Sequence, residues 1–149
     1  MIQIDPLTGE LTTPEGVVSR DTTKSSALAS PMFVSGDYTN EKAGWFNAVL
    51  RPQLVDGRQF LVSLFFHDEH LHSITLIDGD PRFGTSWDDW SREKEEARRK
   101  SHDEWLVRTL GSTKTDWPWG QLYSVYDDKS AASSITLLYR SYQTCKPPR

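Results

Sequence analysis

Alternation of apolar and polar positions organises most of this chain. In RQFLVSLFFH, Phe60, Val62, Leu64 and Phe66 share one face, with Leu61 and Phe65 on the other. A strand over 58–67 is predicted, and apolar residues on both faces predict a central strand covered on both sides. HLHSITLID follows after a tight reversal at Asp68-Glu69. Pairing His67 with His70 sets Ser63 opposite Ile74 and Leu61 opposite Leu76, which keeps apolar residues beside one another. WFNAVLR reads as an earlier strand of the same meander. Near the C-terminus, Leu122, Ser124 and Tyr126 alternate with Tyr123 and Val125, and Ile135, Leu137 and Tyr139 with Thr136, Leu138 and Arg140. The polar DDKSAAS between the two runs makes them a hairpin.

The pattern changes after the loop IDGDPRFGTS. Ser86 reads as a helix N-cap with Asp89 three residues on, and Gly111 as the residue that ends the helix. A helix over 87–110 is predicted, with Asp88 and Asp89 where the helix dipole favours negative charge. Glu95–Arg99 and Glu96–Lys100 are spaced as i,i+4 pairs. Trp90, Ala97, Ser101 and Trp105 form one narrow apolar face, finished by Leu106 and Leu110, so the helix is expected to be packed at its ends and wet between. At the N-terminus, MIQI and ELTT flank the turn DPLTG and suggest a hairpin. A short helix then starts from Asp21 or Thr22 and stops before Pro31, and SGDYTNEKAG reads as a loop.

These elements predict an α+β fold. A mostly antiparallel sheet of about five strands (45–51, 58–67, 70–78, 119–127 and 133–142) carries one long helix across a face, with the N-terminal hairpin and short helix on the other side. The 149 residues are expected to form a single domain. Its parts are the N-terminal hairpin, helix and loop (1–44), the meander (45–78), the long helix (86–111), the C-terminal hairpin (117–142) and a tail (143–149).

Composition narrows the function. Hydrophobic residues are 36% and charged ones 26%, an ordinary globular mixture, and no apolar run is long enough to span a membrane. The N-terminus lacks the pattern of a secretory signal, so a cytoplasmic protein is expected. Cys145 is the single cysteine, which excludes an internal disulfide and a Cys-based zinc site. The net charge of −4 is uneven: residues 67–104 hold eleven Asp and Glu against six Lys and Arg. That centre argues against nucleic acid and suits a basic protein partner.

Candidate chemistry is sparse. His67, His70 and His72 share a face of the meander hairpin and could in principle hold a metal, but a hairpin tip exposes polar residues anyway, and no metal or cofactor is expected. DGDPRFG lacks the later ligands of a calcium loop. No nucleophile elbow or phosphate loop occurs. The better candidate is the start of the long helix. Asp88, Asp89, Glu93 and Glu96 fall within three turns beside Trp90, giving carboxylates for steering and an aromatic anchor. Trp117 and Trp119, which flank Pro118, suit either a lid on the core or a contact surface. They complete the candidate partner-binding set.

IDPLTGELTTPEG at the start and WGQLYSVYDDKSAASSITLLY at the end resemble segments of small bacterial immunity-type proteins, which neutralise a cognate toxin. The resemblance implies a cytoplasmic domain that binds one protein, and it assigns no residue a role. The leading expectation is therefore a non-enzymatic binding protein, an immunity protein or toxin inhibitor. The alternatives are a small enzyme acting on a metabolite through carboxylates or histidines, and a structural or adaptor subunit.

Overall fold

The computed structural model describes residues 3–37, 41–55 and 58–140. The expected strand end at 141–142 and the tail with Cys145 lie outside the described residues. The fold is α+β, with more strands than the sequence pattern predicts. A small antiparallel sheet joins β1 (Gln3–Ile4), β2 (Leu11–Thr13) and β3 (Gly16–Val18). It is followed by α1 (Lys24–Leu28), β4 (Phe33–Asp37), β5 (Trp45–Leu50), β6 (Gln53–Val55), β7 (Arg58–His67) and β8 (His70–Asp78). Then come α2 (Arg92–Leu110), β9 (Asp116–Trp117), β10 (Gly120–Asp127) and β11 (Ala132–Tyr139).

The large sheet holds eight strands among the described residues, in the order β4-β5-β7-β8-β11-β10-β9, with β6 also on β7. All its pairings are antiparallel. Three of its strands were not expected. β4 takes up the start of a stretch that reads as loop, and β6 and β9 are too short to show a period.

One face of this sheet is the core. Phe60, Val62, Leu64 and Phe66 of β7 lie beside Ile74 and Leu76 of β8 and Ile135 and Leu137 of β11, all buried. α2 closes that face with Trp105 and Leu106, and the Trp105 ring lies 5.0 Å from Phe60. The opposite face stays open: Leu61 is 44% exposed, and Trp45, Val49 and Val125 are exposed as well. The expectation that β7 is covered on both sides is thus corrected. The strand is central by its neighbours, but its second apolar row faces outward.

The β7–β8 register also differs by one residue. His67 does pair with His70, but a bulge between Phe65 and Phe66 sets Leu64 opposite Ile74 and Ser63 opposite Thr75. The extra residue falls at His72 on β8. Without it, Ile74 and Leu76 would turn away from the core, since a one-residue slip exchanges the faces.

The long helix starts later than the pattern suggests. Ser86 does cap, but what it caps is a single 3-10 turn, Trp87–Asp89. Trp90 is then extended (φ −69°, ψ 141°), and Ser91 becomes the N-cap of α2 by accepting from Lys94 N. Gly111 ends the helix in the left-handed region, φ +75°, as expected of it. The packed stripe of α2 is Glu95, Arg98, Ser101, His102, Trp105 and Leu106, and Ala97 is exposed. Its first half is therefore buried and polar rather than wet. Instead of the i,i+4 pairs expected, Glu95 meets Arg98 and Glu96 meets Arg92. The short N-terminal helix is capped by Thr23, directly after the expected Asp21 or Thr22, with a reciprocal bond to Ser26.

Candidate partner-binding site

The segment between β8 and α2 is held at almost every residue. Asp78, fully buried at the end of β8, accepts from Asp80 N (3.0 Å) and from the Ser101 hydroxyl (2.9 Å). Asp80 caps the turn Pro81–Phe83 by accepting from Arg82 N at 3.0 Å. Gly84 takes φ +94°, which only glycine adopts freely. Arg98 reaches across from α2 and donates to the carbonyls of Phe83 (3.1 Å) and Gly84 (2.9 Å).

Asp89 is the keystone of the next turn. Its carboxylate accepts from Ser86 N at 2.8 Å and from Thr85 N at 2.9 Å. Those two backbone donors hold its pKa below the ordinary aspartate value. Lys94 donates to the Asp89 carbonyl at 2.7 Å. The Trp90 indole N–H donates to the carbonyl of Ala131 at 2.7 Å, tying the loop to the turn between β10 and β11. Ala131 has φ +54°, uncommon for a residue with a side chain.

A cleft of about 540 Å³ opens beside this loop, at the edge of the uncovered sheet face. Its lining includes Leu61, Ile77, Trp87, Trp90, Arg98 and Ala132. Glu95 also contributes, with its charge already matched. Its carboxylate meets the Arg98 guanidinium and accepts from Ser133 N at 2.9 Å, and its carbonyl accepts from the Ser133 hydroxyl at 2.6 Å. Glu95 and Arg98 are 3% and 8% exposed, so the pair is a buried one.

The structure brings together only part of the candidate set. Asp88, Asp89 and Trp90 stand on one loop, with Glu93 and Glu96 exposed on the first turns of α2. Glu96 forms an ion pair with Arg92 at 3.1 Å. Trp117 and Trp119 belong elsewhere. They lie at the start of the β10–β11 hairpin, whereas Trp90 touches its far turn, an eight-residue strand away. Trp117 is 7% exposed and donates its indole N–H to the Lys114 carbonyl. Trp119 is 2% exposed, 5.5 Å from the Tyr139 ring, and packs so close to Gly9 that a Cβ there would stand 2.4 Å from the indole. Both are core residues with no surface to offer, which corrects their place in the partner-binding set. An exposed aromatic outside the expected set is Trp87, 73% exposed with its ring 6.1 Å from Trp90. A continuous helix from 87 onward hides the extended turn that turns this side chain outward.

Two other clusters bear on the alternative of an enzyme. Asp78, Ser101 and His102 adjoin, but the Ser101 hydroxyl donates to the Asp78 carboxylate. His102 Nε2 accepts the backbone N–H of Asp78, so that nitrogen carries no proton. Burial drives its pKa down to about 4. With His102 and Asp78 both fully buried, this cluster presents no nucleophile to a substrate. At the other end, Trp45 stands between His67 (4.7 Å) and His72 (5.0 Å) on the open sheet face. Among the described residues, no three His, Cys, Asp or Glu side chains are grouped to hold a metal ion.

No family model matches the sequence, and no curated protein does. The solved structures give a different result. A chain in the complex of Rhs1-CT with its cognate immunity protein RhsI1 aligns over 94% of this chain and 88% of its own length, with a TM-score of 0.60 and 15% identity. The two share a fold. At that identity the likeness transfers no residue role. No helix among the described residues is long and apolar enough to cross a membrane.

Proposed function

We propose that this chain is an immunity protein: a single binding domain that docks on a toxin domain and neutralises it. The observation that carries this reading is the fold shared, across nearly the whole chain, with a member of a toxin–immunity complex. Of the two roles in such a complex, the immunity role fits this chain better. Its polar clusters are closed and structural, with Asp78, Glu95, Arg98 and His102 spent on holding the loop and the helix. What remains exposed suits contact rather than chemistry: Trp87, Trp90 and the carboxylates of Asp88 and Glu93. With a net charge of −4, the partner surface this fits is basic.

Co-expression tests the proposal. The cognate toxin domain should arrest growth alone and cease to do so with this chain present, and the two should co-purify as a stable complex. Growth arrest that persists at saturating levels of this chain would rule the role out.

A further inference from the structure

The buried ion pair in the wall of the cleft leaves one donor over. Arg98 lines the cleft and is 8% exposed. Its Nη1 donates to the Glu95 carboxylate, and its Nη2 donates to the carbonyls of Phe83 and Gly84. Its Nε is buried and has no acceptor among the described residues. A buried donor in that state has given up water and gained nothing in return. An acceptor brought in by a partner removes that cost.

The rest of the lining sets the character of that acceptor. Glu95 and Arg98 are its charged residues, and they cancel. The Glu95 carboxylate is already shared between Arg98 and Ser133 N. Leu61, Ile77, Ala132 and the indoles of Trp87 and Trp90 make the wall largely apolar. The backbone around Trp87 is ordered by Asp89 and by the tie from Trp90 to Ala131. The Trp87 indole itself, 73% exposed, meets only the Trp90 ring among the described residues. It can therefore cover an occupant at little cost in freedom.

One acceptor, an aliphatic stem and no net charge describe an amide side chain. Resting on the immunity role proposed above, we infer that this cleft receives a glutamine or asparagine side chain of the toxin domain, its amide oxygen accepting from Arg98 Nε. A cation would meet a donor and find the Glu95 carboxylate taken. A carboxylate would stand beside Glu95, where like charges disfavour each other. It would also find one N–H where a bidentate pair needs two. A plain aliphatic side chain would fill the walls and leave Nε unpaired. The amide oxygen accepts without bringing a charge. An uncharged occupant is compatible with a basic toxin surface, because the exposed carboxylates of Asp88 and Glu93 are not part of the cleft lining.

The test needs no toxin, so its failure is separate from a failure of the immunity role, which co-expression reads. It also needs no Arg98 variant, which would strike the fold. The Arg98 Nε–H and the indole N–H resonances of the full chain are followed by NMR as butyramide is added into the high millimolar range. Butyrate and butylammonium serve as comparisons, with a similar aliphatic stem but an anionic acceptor or a donor-only cation as the head. With butyramide the Arg98 Nε–H should move saturably, and Trp87 and Trp90 should follow at the same midpoint. Buried Trp117 and Trp119 should stay still. Butyrate should bind several-fold more weakly, and butylammonium should leave the Arg98 Nε–H unmoved. Butyrate binding as tightly as butyramide would overturn the inference in favour of a carboxylate. Equal responses to butyramide and butylammonium would overturn it in favour of a plain apolar cleft. An Arg98 Nε–H that stays still with butyramide, or uniform movement of all the indoles, would overturn it outright.

Discussion

His102 of α2 accepts the backbone N–H of Asp78 at the end of β8, at 2.9 Å, in a site closed to solvent. The bond requires a neutral imidazole. A histidine of ordinary pKa 6.5 in the unfolded chain falls to about 4 in the folded one. Between those values the unfolded chain binds more protons, so stability is fully present above pH 6.5 and is lost as pH falls toward 4. The loss is about 3 kcal/mol at most, from about 1.36 kcal/mol per pKa unit. His72, also shifted down by burial, adds in the same direction but is more open. Denaturant midpoints measured from neutral pH down to about pH 4 should therefore decline. His102→Gln, which keeps an acceptor but cannot titrate, should flatten the decline. Parallel pH profiles for the two proteins would show that His102 does not titrate as described.

A second prediction concerns the buried ion pair. Arg98→Met leaves the Glu95 carboxylate buried with Ser133 N as its remaining donor, and it frees the carbonyls of Phe83 and Gly84. The expected cost is about 3–5 kcal/mol, the range for breaking a buried pair from one side. Adding Glu95→Gln removes the stranded charge, so the double variant should recover part of that loss. A double-mutant cycle on chemical denaturation reads the coupling, and simple additivity would mean the pair contributes nothing as a pair.

The two faces of the large sheet give a third. Leu64 is 1% exposed and Leu61, on the same strand, is 44% exposed. Leu64→Ala should cost roughly 2–5 kcal/mol, the span for truncating a buried leucine. Leu61→Ala should stay within about 0.5 kcal/mol, as for most surface changes. Similar losses in the two midpoints would mean that the outer face is covered after all.

These contrasts also mark how far local pattern reaches in this chain. Period-2 alternation located β5, β7, β8, β10 and β11, because each is long enough to repeat its pattern. It could not say that the second row, Leu61 and Phe65, faces out, since an apolar row reads the same against a helix or in the open. The bulge at His72 was hidden because both registers place apolar residues together. It is decided by Ile74 and Leu76 needing the same face as Leu71. The caps at Ser86 and Gly111 were legible as side-chain chemistry. The break at Trp90 was not, since Ser91 is a second good cap only five residues after the first.

The candidate site was legible in half. Asp88, Asp89 and Trp90 were found as a cluster, but its acids are not equivalent. Asp89 looked like a steering charge and is spent on Thr85 and Ser86. Trp117 and Trp119 were drawn in by composition, because aromatic residues are enriched both in cores and at interfaces. The contact that removes Trp119, its packing on Gly9, joins residues 110 positions apart, beyond the reach of any local pattern.

The last prediction separates steering from anchoring in the proposed complex. Reversing Asp88, Glu93 and Glu96 to Lys removes exposed charges and touches no buried partner. The fold should survive, with roughly 0.2–0.5 kcal/mol lost where the cation introduced in place of Glu96 would face Arg92 one helical turn away. If these carboxylates meet a basic toxin surface, association should slow markedly while dissociation changes little, because rim charges act on encounter. The slowing should fade toward about 1 M salt, where the Debye length is about 3 Å. Asp89 is kept out of this variant. Lysine at that position would strip Thr85 N and Ser86 N of their acceptor and collapse the loop, confounding binding with folding. Trp87→Ala should do the opposite of the charge variant: unchanged association and a dissociation rate raised about 30-fold, the equivalent of a hot spot of about 2 kcal/mol. Surface-based kinetics with the toxin domain at two salt concentrations reads both rates. Thermal melts confirm that each variant is folded. An unaltered on-rate in the charge variant would reduce the start of α2 to a solvated surface. An unaltered off-rate for Trp87→Ala would move the interface away from the cleft, to the open face of the sheet around Trp45 and Val49.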